Sequence, residues 1–250
     1  MARQRLGQHF LTSTRILERI AAAACPEREP LVVEIGPGTG ALTLLLLERA
    51  RRVVVVELDE RLAAALRAKY GSRLTVISGD ALDVDLGRWG SAVITGNLPY
   101  YAATAIIERV VTLGSRMRRG VFLIQKEVAR RLCAQPGSRD YGYLTTTVRL
   151  FADAERLFDV RPSAFRPPPK VDSTVVRLDP HPRSDELGIG DPQRFRRFLA
   201  ACFRHKRKTI RNNLAAVYGK DAAGALPEAS LRAEQLGLEQ FAEMYRRLVP

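Results

Sequence analysis

The chain has 250 residues, 46% hydrophobic and 27% charged, enough apolar material for one substantial domain and a small one, which excludes a disordered chain. A formal net charge of +13 and a pI of about 10.3 point to a polyanionic partner, or less directly to an anionic membrane surface or a basic bias of composition alone. Three cysteines (Cys25, Cys133, Cys202) without C-x-x-C spacing and three unclustered histidines exclude a disulfide scaffold, so a reducing compartment and no metal are expected.

In chain order, an N-terminal helix carries Ile16, Leu17, Ile20 and Ala24 on one face. A short apolar strand, Leu31–Val33, leads into Glu34-Ile35-Gly36-Pro37-Gly38-Thr39-Gly40 and then a helix at Ala41–Glu48. A second strand, Val53–Val56, ends on Glu57. Further strands are predicted at Leu74–Ile77, Ala92–Ile94, Val121–Ile124, Thr145–Val148 and Thr174–Val176, with helices at Glu60–Tyr70, Ala102–Leu113 and Glu127–Ala134. This alternation implies a Rossmann-like α/β fold, a doubly wound, mostly parallel seven-stranded sheet. From Pro180 to Pro192 proline, glycine and charge mark a linker, and everything beyond reads as helix. The domains expected are therefore 1–180, a linker at 181–192 and a helical domain at 193–250. No run approaches the ~18 apolar residues of a membrane span, and no signal-peptide core follows Arg3 and Arg5. A soluble, cytoplasmic protein is expected.

The chemistry gathers at the carboxyl ends of successive strands, where open α/β sheets bind ligands. Glycines between strand and helix let backbone approach a ligand, and the acid at Glu57 can accept hydrogen bonds from two ribose hydroxyls. The pattern is G-x-G-x-G, not the pyrophosphate fingerprint G-x-G-x-x-G. Glu34, two places before the first glycine, would repel a phosphate but suit an ammonium group, which favours S-adenosylmethionine over NAD. Taken alone, the turn also fits any α/β domain. Asp80, in Gly79-Asp80-Ala81, can accept a proton from an adenine amino group; alone it would equally serve as a helix cap. Asn97-Leu98-Pro99-Tyr100 ends the fourth strand. Its amide oxygen and the Leu98 carbonyl can take the two protons of an aromatic amine, Pro99 aims that carbonyl inward, and Tyr100 offers a stacking face. The plain alternative is a proline turn closing a strand.

These segments, in order, resemble the ribosomal RNA adenine dimethyltransferases of the KsgA type over essentially the whole chain. Gly7-Gln8-His9-Phe10-Leu11 resembles the family's G-Q-N-F-L, Phe165 to Ser173 its F-x-P-P-P-K-V-D-S, and Arg207 to Leu214 its R-K-T-L-R-N-N-L. The resemblance implies that Gln8, His9 and Leu11 line the methionine end of the cofactor with Glu34, Gly36 and Gly38. Glu57, beside Leu58, would hold the ribose, and Asp80, beside Ala81, the adenine. Asn97 with the Leu98 carbonyl would grip the target amine, while Tyr100 and Phe165 stack on the base; Phe165 also has a plain reading as core. His9 departs from the family's asparagine, which would make cofactor affinity pH-dependent, and Tyr101–Ala105 departs from N-I-S-T-P.

Between Arg194 and Arg211 lie eight arginines and lysines and no acid. An apolar stripe from Phe195 to Leu214 would pack, leaving Arg197, Arg204, Lys208 and Arg211 on one basic face, with Lys206 and Arg207 beside them, to meet RNA phosphates. A solvated face is the alternative. The resemblance implies dimethylation of two adjacent adenosines in the 3′-terminal hairpin loop of small-subunit rRNA, on an assembling subunit, by a monomer. The rival readings are a resistance-type large-subunit enzyme and a non-catalytic assembly factor. Asn97-Leu98-Pro99-Tyr100 argues against a DNA adenine methyltransferase, which would show D-P-P-Y or N-P-P-Y.

Overall fold

The computed structural model describes residues 9–249. Residues group into two units: 1–129 with 154–180, and 130–153 with 181–250.

In the first unit a two-residue strand, β1 (Phe10–Leu11), precedes α1 (Thr14–Ala24). There follow β2 (Glu29–Ile35), α2 (Ala41–Arg49), β3 (Ala50–Glu57), α3 (Glu60–Tyr70), β4 (Thr75–Ser78), β5 (Ala92–Asn97), α4 (Ala103–Val111), β6 (Met117–Gln125) and α5 (Lys126–Leu132). After α6 (Tyr143–Phe151), which belongs to the second unit, come β7 (Ala152–Val160), β8 (Phe165–Arg166) and β9 (Ser173–Pro180). The seven-stranded sheet runs β4-β3-β2-β5-β6-β9-β7, and β1 pairs separately with β8. β2 to β6 pair in parallel, and β9 is antiparallel to β6. Parallel central strands are covered on both faces, and β2, β3, β5 and β6 are accordingly almost unbroken runs of buried residues. The order reverses between β2 and β5, so the crevice of a doubly wound sheet opens above those strands.

One expected strand fails. Thr145–Val148 is not a strand but the middle of α6. Two of its threonine hydroxyls bond to main chain, Thr146 Oγ1 to Gly142 O at 3.2 Å and Thr145 Oγ1 to Arg131 O at 2.5 Å, which offsets part of the polar cost of burying β-branched residues in a helix, while Thr147 Oγ1 is buried without a partner among the described residues. The strand that completes the sheet is instead β7, whose charged residues suit an exposed edge.

The second unit contains α6, α7 (Pro192–Cys202), α8 (Ile210–Tyr218), α9 (Lys220–Gly224) and α10 (Leu238–Leu248). Its core joins Tyr141 and Leu150 to Phe195, Phe198, Leu199, Phe241 and Tyr245. The division therefore differs from the expected one, because residues 130–153 pack with the C-terminal helices. The stretch expected as a linker, 181–192, belongs to the same unit. Leu187 and Ile189 are buried, His181 and Arg183 bond by their N–H groups to the Phe151 and Leu150 carbonyls, and the Arg183 guanidinium meets Glu186 and Glu239. Among the described residues no helix is long and apolar enough to cross a membrane.

Candidate active site

The ends of β2, β3, β4 and β5 open into one pocket within the first unit. It is lined by His9, Leu11, Glu34, Gly36, Gly38, Glu57, Leu58, Asp80, Ala81, Asn97, Leu98, Pro99 and Tyr100, so all but two of the proposed catalytic and cofactor residues converge. Gln8 lies outside the described residues.

The glycine turn follows directly from backbone chemistry. Gly36 and Gly38 have φ of +67° and +58°, which L-residues with a Cβ rarely adopt. A Cβ on Gly38 would stand 2.9 Å from the Phe10 ring, and one on Gly36 would stand 3.7 Å from the Asn97 carbonyl oxygen. The turn is locked to its neighbours by Gly36 N–H donating to Val56 O at 2.9 Å and Gly38 N–H donating to Glu57 Oε2 at 3.0 Å.

Glu57 is buried, and its other oxygen accepts from Asp59 N–H at 3.0 Å. One main-chain donor per oxygen compensates the burial, and each oxygen keeps a lone pair for a hydroxyl of a diol. Asp80 Oδ1 accepts from Leu82 N–H at 2.9 Å, the local bond that caps the turn after β4, so Oδ2 remains for a ligand donor. The cap leaves the expected binding role open to the second oxygen.

Glu34 differs from both. It is 2% exposed, and its Oε2 accepts from the Thr43 hydroxyl of α2 at 2.6 Å. Burial pushes this carboxyl up to about 8, the Thr43 bond opposes the rise, and the Glu57 charge adds to it. Without a cation beside it, Glu34 is protonated at neutral pH. An ammonium group delivered into the pocket would supply that cation.

At the end of β5, Leu98 N–H continues the ladder to Leu123 O at 3.1 Å. Asn97 Nδ2 donates to the His9 carbonyl at 3.0 Å, which orients the amide and leaves Oδ1 without a partner among the described residues. His9 itself is pinned through Nδ1, which donates to Pro167 O at 2.7 Å. The Tyr100 hydroxyl lies 2.9 Å from Ser173 Oγ.

Phe165 is the clear correction. Its side chain is fully buried and packs in the sheet core with Leu11, Leu17 and Val121, because antiparallel pairing of Leu11 with Phe165 turns it inward. It presents no face to the pocket. Sequence reasoning also passed over Phe10, Thr43 and Tyr101. Tyr101, 69% exposed, stands at the rim of the pocket, and only its place directly after Tyr100 could have marked it.

The basic segment of the second unit also differs from expectation. It is not one helix. α7 stops at Cys202, Arg204, Lys206, Arg207 and Lys208 occupy a loop, and of the six cations expected to meet RNA only Arg197 and Arg211 are helical. Buried Asn213 organises that loop: its Nδ2 donates to the carbonyls of Cys202 (2.8 Å), His205 (3.2 Å) and Lys208 (3.4 Å), and its Oδ1 accepts from His205 N–H at 3.0 Å. Lys206 Nζ donates to Arg139 O at 2.7 Å, while Arg197, Arg204, Arg207, Lys208 and Arg211 keep no acidic partner at ion-pair distance among the described residues.

The family model "Ribosomal RNA adenine dimethylase" matches residues 1–248. A protein of Acidobacterium capsulatum named ribosomal RNA small subunit methyltransferase A is 44% identical, over 98% of this chain and 90% of its own. Its namesake in Bordetella pertussis is 42% identical, over 96% and 91%. Among solved structures, a dimethyladenosine transferase from Plasmodium falciparum superposes with a TM-score of 0.81 at 26% identity, covering 95% of this chain and 96% of that one. The 23S rRNA methyltransferase ErmE follows at 0.70 and 26%, covering 96% and 100%.

Proposed function

The chain belongs to the ribosomal RNA adenine dimethylase family, and from that premise we propose that it carries methyl groups from S-adenosylmethionine to the exocyclic amines of two adjacent adenosines in the 3′-terminal hairpin loop of small-subunit rRNA. It acts in the cytoplasm, as a monomer, on an assembling small subunit. The observation that carries this reading is the meeting of Glu34, Glu57, Asp80 and Asn97 in one pocket. These acceptors match, in turn, an ammonium, a ribose diol, an adenine amine and a target amine.

When bound, S-adenosylmethionine supplies a methyl group already activated on a sulfonium. The chain therefore has to position the reactants and keep water out. Asn97 Oδ1, its amide held by the His9 carbonyl, and the Leu98 carbonyl accept hydrogen bonds from the amine's two N–H groups, which favours a pyramidal nitrogen with its lone pair free. No general base is required before attack, because those protons become acidic only as the new bond forms. Tyr100 supplies the stacking face. Arg197, Arg204, Lys206, Arg207, Lys208 and Arg211 bind phosphates.

The relatives named for the small subunit are 44% and 42% identical, and the large-subunit enzyme is 26% identical, which supports a small-subunit target. The presence of Asn97 and Asp80 in the pocket supports catalysis over a purely binding role. The test is radiolabelled methyl transfer to unmethylated small subunits, with large subunits in parallel and nucleoside analysis of the label. Dimethyladenosine confined to the small subunit is expected. Label on the large subunit would favour the resistance-type reaction, and binding without transfer an assembly factor.

A further inference from the structure

The segment from Phe165 to Ser173 touches the pocket at two points, and neither is the aromatic ring its sequence suggests. Pro167 O accepts from His9 Nδ1 at 2.7 Å, and Ser173 Oγ lies 2.9 Å from the Tyr100 hydroxyl. Between these points the rings of His9 and Tyr100 face each other at 5.6 Å, tilted by 31°. Ser173 is a fixed post. It is fully buried, and it pairs with Gln125 in the β6–β9 ladder. Asp172, the residue before it, is tied down by Lys126, whose N–H donates to its carbonyl at 3.0 Å and whose Nζ lies 3.4 Å from its carboxylate.

We propose that Ser173 is a positioning residue for methyl transfer: its hydroxyl anchors the far end of Tyr100 and so fixes the axis of the ring on which the target base stacks. This rests on the proposed function. A tyrosine ring turns about two side-chain torsions; the bond at its hydroxyl fixes where the ring axis points, and the neighbouring His9 ring restrains rotation about that axis. His9, pinned by Pro167, limits the same ring from the side. The ring is thus ordered before the base arrives, and the base does not have to pay that ordering on binding.

The test is a double-mutant cycle read by single-turnover methyl transfer to unmethylated small subunits at saturating S-adenosylmethionine. Ser173→Ala and Tyr100→Phe each cut the same hydrogen bond, and each should slow transfer by about 3- to 10-fold, the range for one neutral hydrogen bond. The double variant should be no slower than either single one. Cofactor Kd should stay at the wild-type value in all three, while the single variants lower the thermal midpoint modestly, as loss of one hydrogen bond does. Wild-type transfer by Ser173→Ala would overturn the proposal, as would losses that multiply in the double variant. Cofactor affinity falling in step with transfer would make Ser173 a structural residue and overturn it equally. Should Ser173→Ala fold poorly, Tyr100→Phe makes the same cut from the other side, and unchanged transfer there is equally fatal. A wild-type protein inactive on small subunits would refute the functional reading itself, so the two failures are distinct.

Discussion

Glu34 departs furthest from its ordinary chemistry, and the sign of its effect can be worked out. Below about pH 4.5 its carboxyl is protonated in the folded and unfolded chain alike and contributes nothing to pH dependence. From there up to about 8 the unfolded chain releases this proton while the folded chain keeps it. Folding stability therefore falls as pH rises through that window, by something on the order of a few kcal/mol. Urea unfolding at both ends of the window should show a larger loss for wild type than for Glu34→Gln; equal losses would mean the carboxyl ionises freely. A bound ammonium reverses the preference. Cofactor binding near neutral pH should then release a proton, visible as buffer-dependent heat, and Glu34→Gln should abolish that release. Asn97→Ala removes the free amide oxygen and should lower transfer by roughly 100-fold or more, the scale of removing one transition-state hydrogen bond, with cofactor Kd largely kept. Comparable loss of both would make Asn97 structural. The convergence of Glu57, Asp80 and Asn97 on one pocket was legible in sequence because few residue types offer two acceptors, or an oriented amide, at a strand end. Phe165 was not, since its burial depends on pairing with Leu11 across more than half the chain.

At the scale of elements, sequence periodicity read the parallel strands well, because β2, β3, β5 and β6 are buried on both faces and their runs of valine, isoleucine and leucine fit little else. It failed where local composition opposed the tertiary environment. Thr145–Val148 looked like strand by β-branching, yet it is helix, with main-chain acceptors for the Thr145 and Thr146 hydroxyls. The basic segment looked like one helix by spacing, yet Asn213 folds its middle into a loop, and no periodicity can register one buried amide that bonds main chain five to eleven residues back. This gives two separable predictions. Neutralising Arg204, Lys208 and Arg211 together should weaken RNA binding and flatten its salt dependence, by about 0.7 to 0.9 in logarithmic slope for each phosphate no longer neutralised; an unchanged slope would assign these charges to a solvated face. Asn213→Ala leaves every charge in place but frees the loop. It should cost about 1–3 kcal/mol of stability, as unpaired buried groups do, and still weaken RNA binding. RNA affinity unaltered in a folded Asn213→Ala protein would show that the loop's shape is irrelevant.

For the whole molecule, the sheet and a helical C-terminal region were readable, but the division of the chain was not. Proline and glycine at 180–192 signal a break in regular structure, and a break is not necessarily a boundary. Here Leu187 and Ile189 enter a core that also takes Tyr141 and Leu150 from 130–153, residues that sequence order assigns to the sheet. Long-range burial of this kind has no local signature. A definite expectation follows for dissection. A fragment of residues 193–250 lacks Tyr141, Leu150, Leu187 and Ile189, so the core around Phe195, Phe198 and Phe241 loses part of its apolar packing within a unit already small enough for each buried side chain to count. Such a fragment should show helical far-ultraviolet dichroism but little near-ultraviolet signal and no cooperative thermal transition. Joining 130–153 to 181–250 through a flexible linker should restore both. If residues 193–250 alone melt cooperatively with a native near-ultraviolet spectrum, the helices form an autonomous domain and the segments at 130–153 and 181–192 merely rest on it. If neither fragment folds, the unit forms only within the full chain, and the basic loop that Asn213 shapes depends on the whole molecule for its stability.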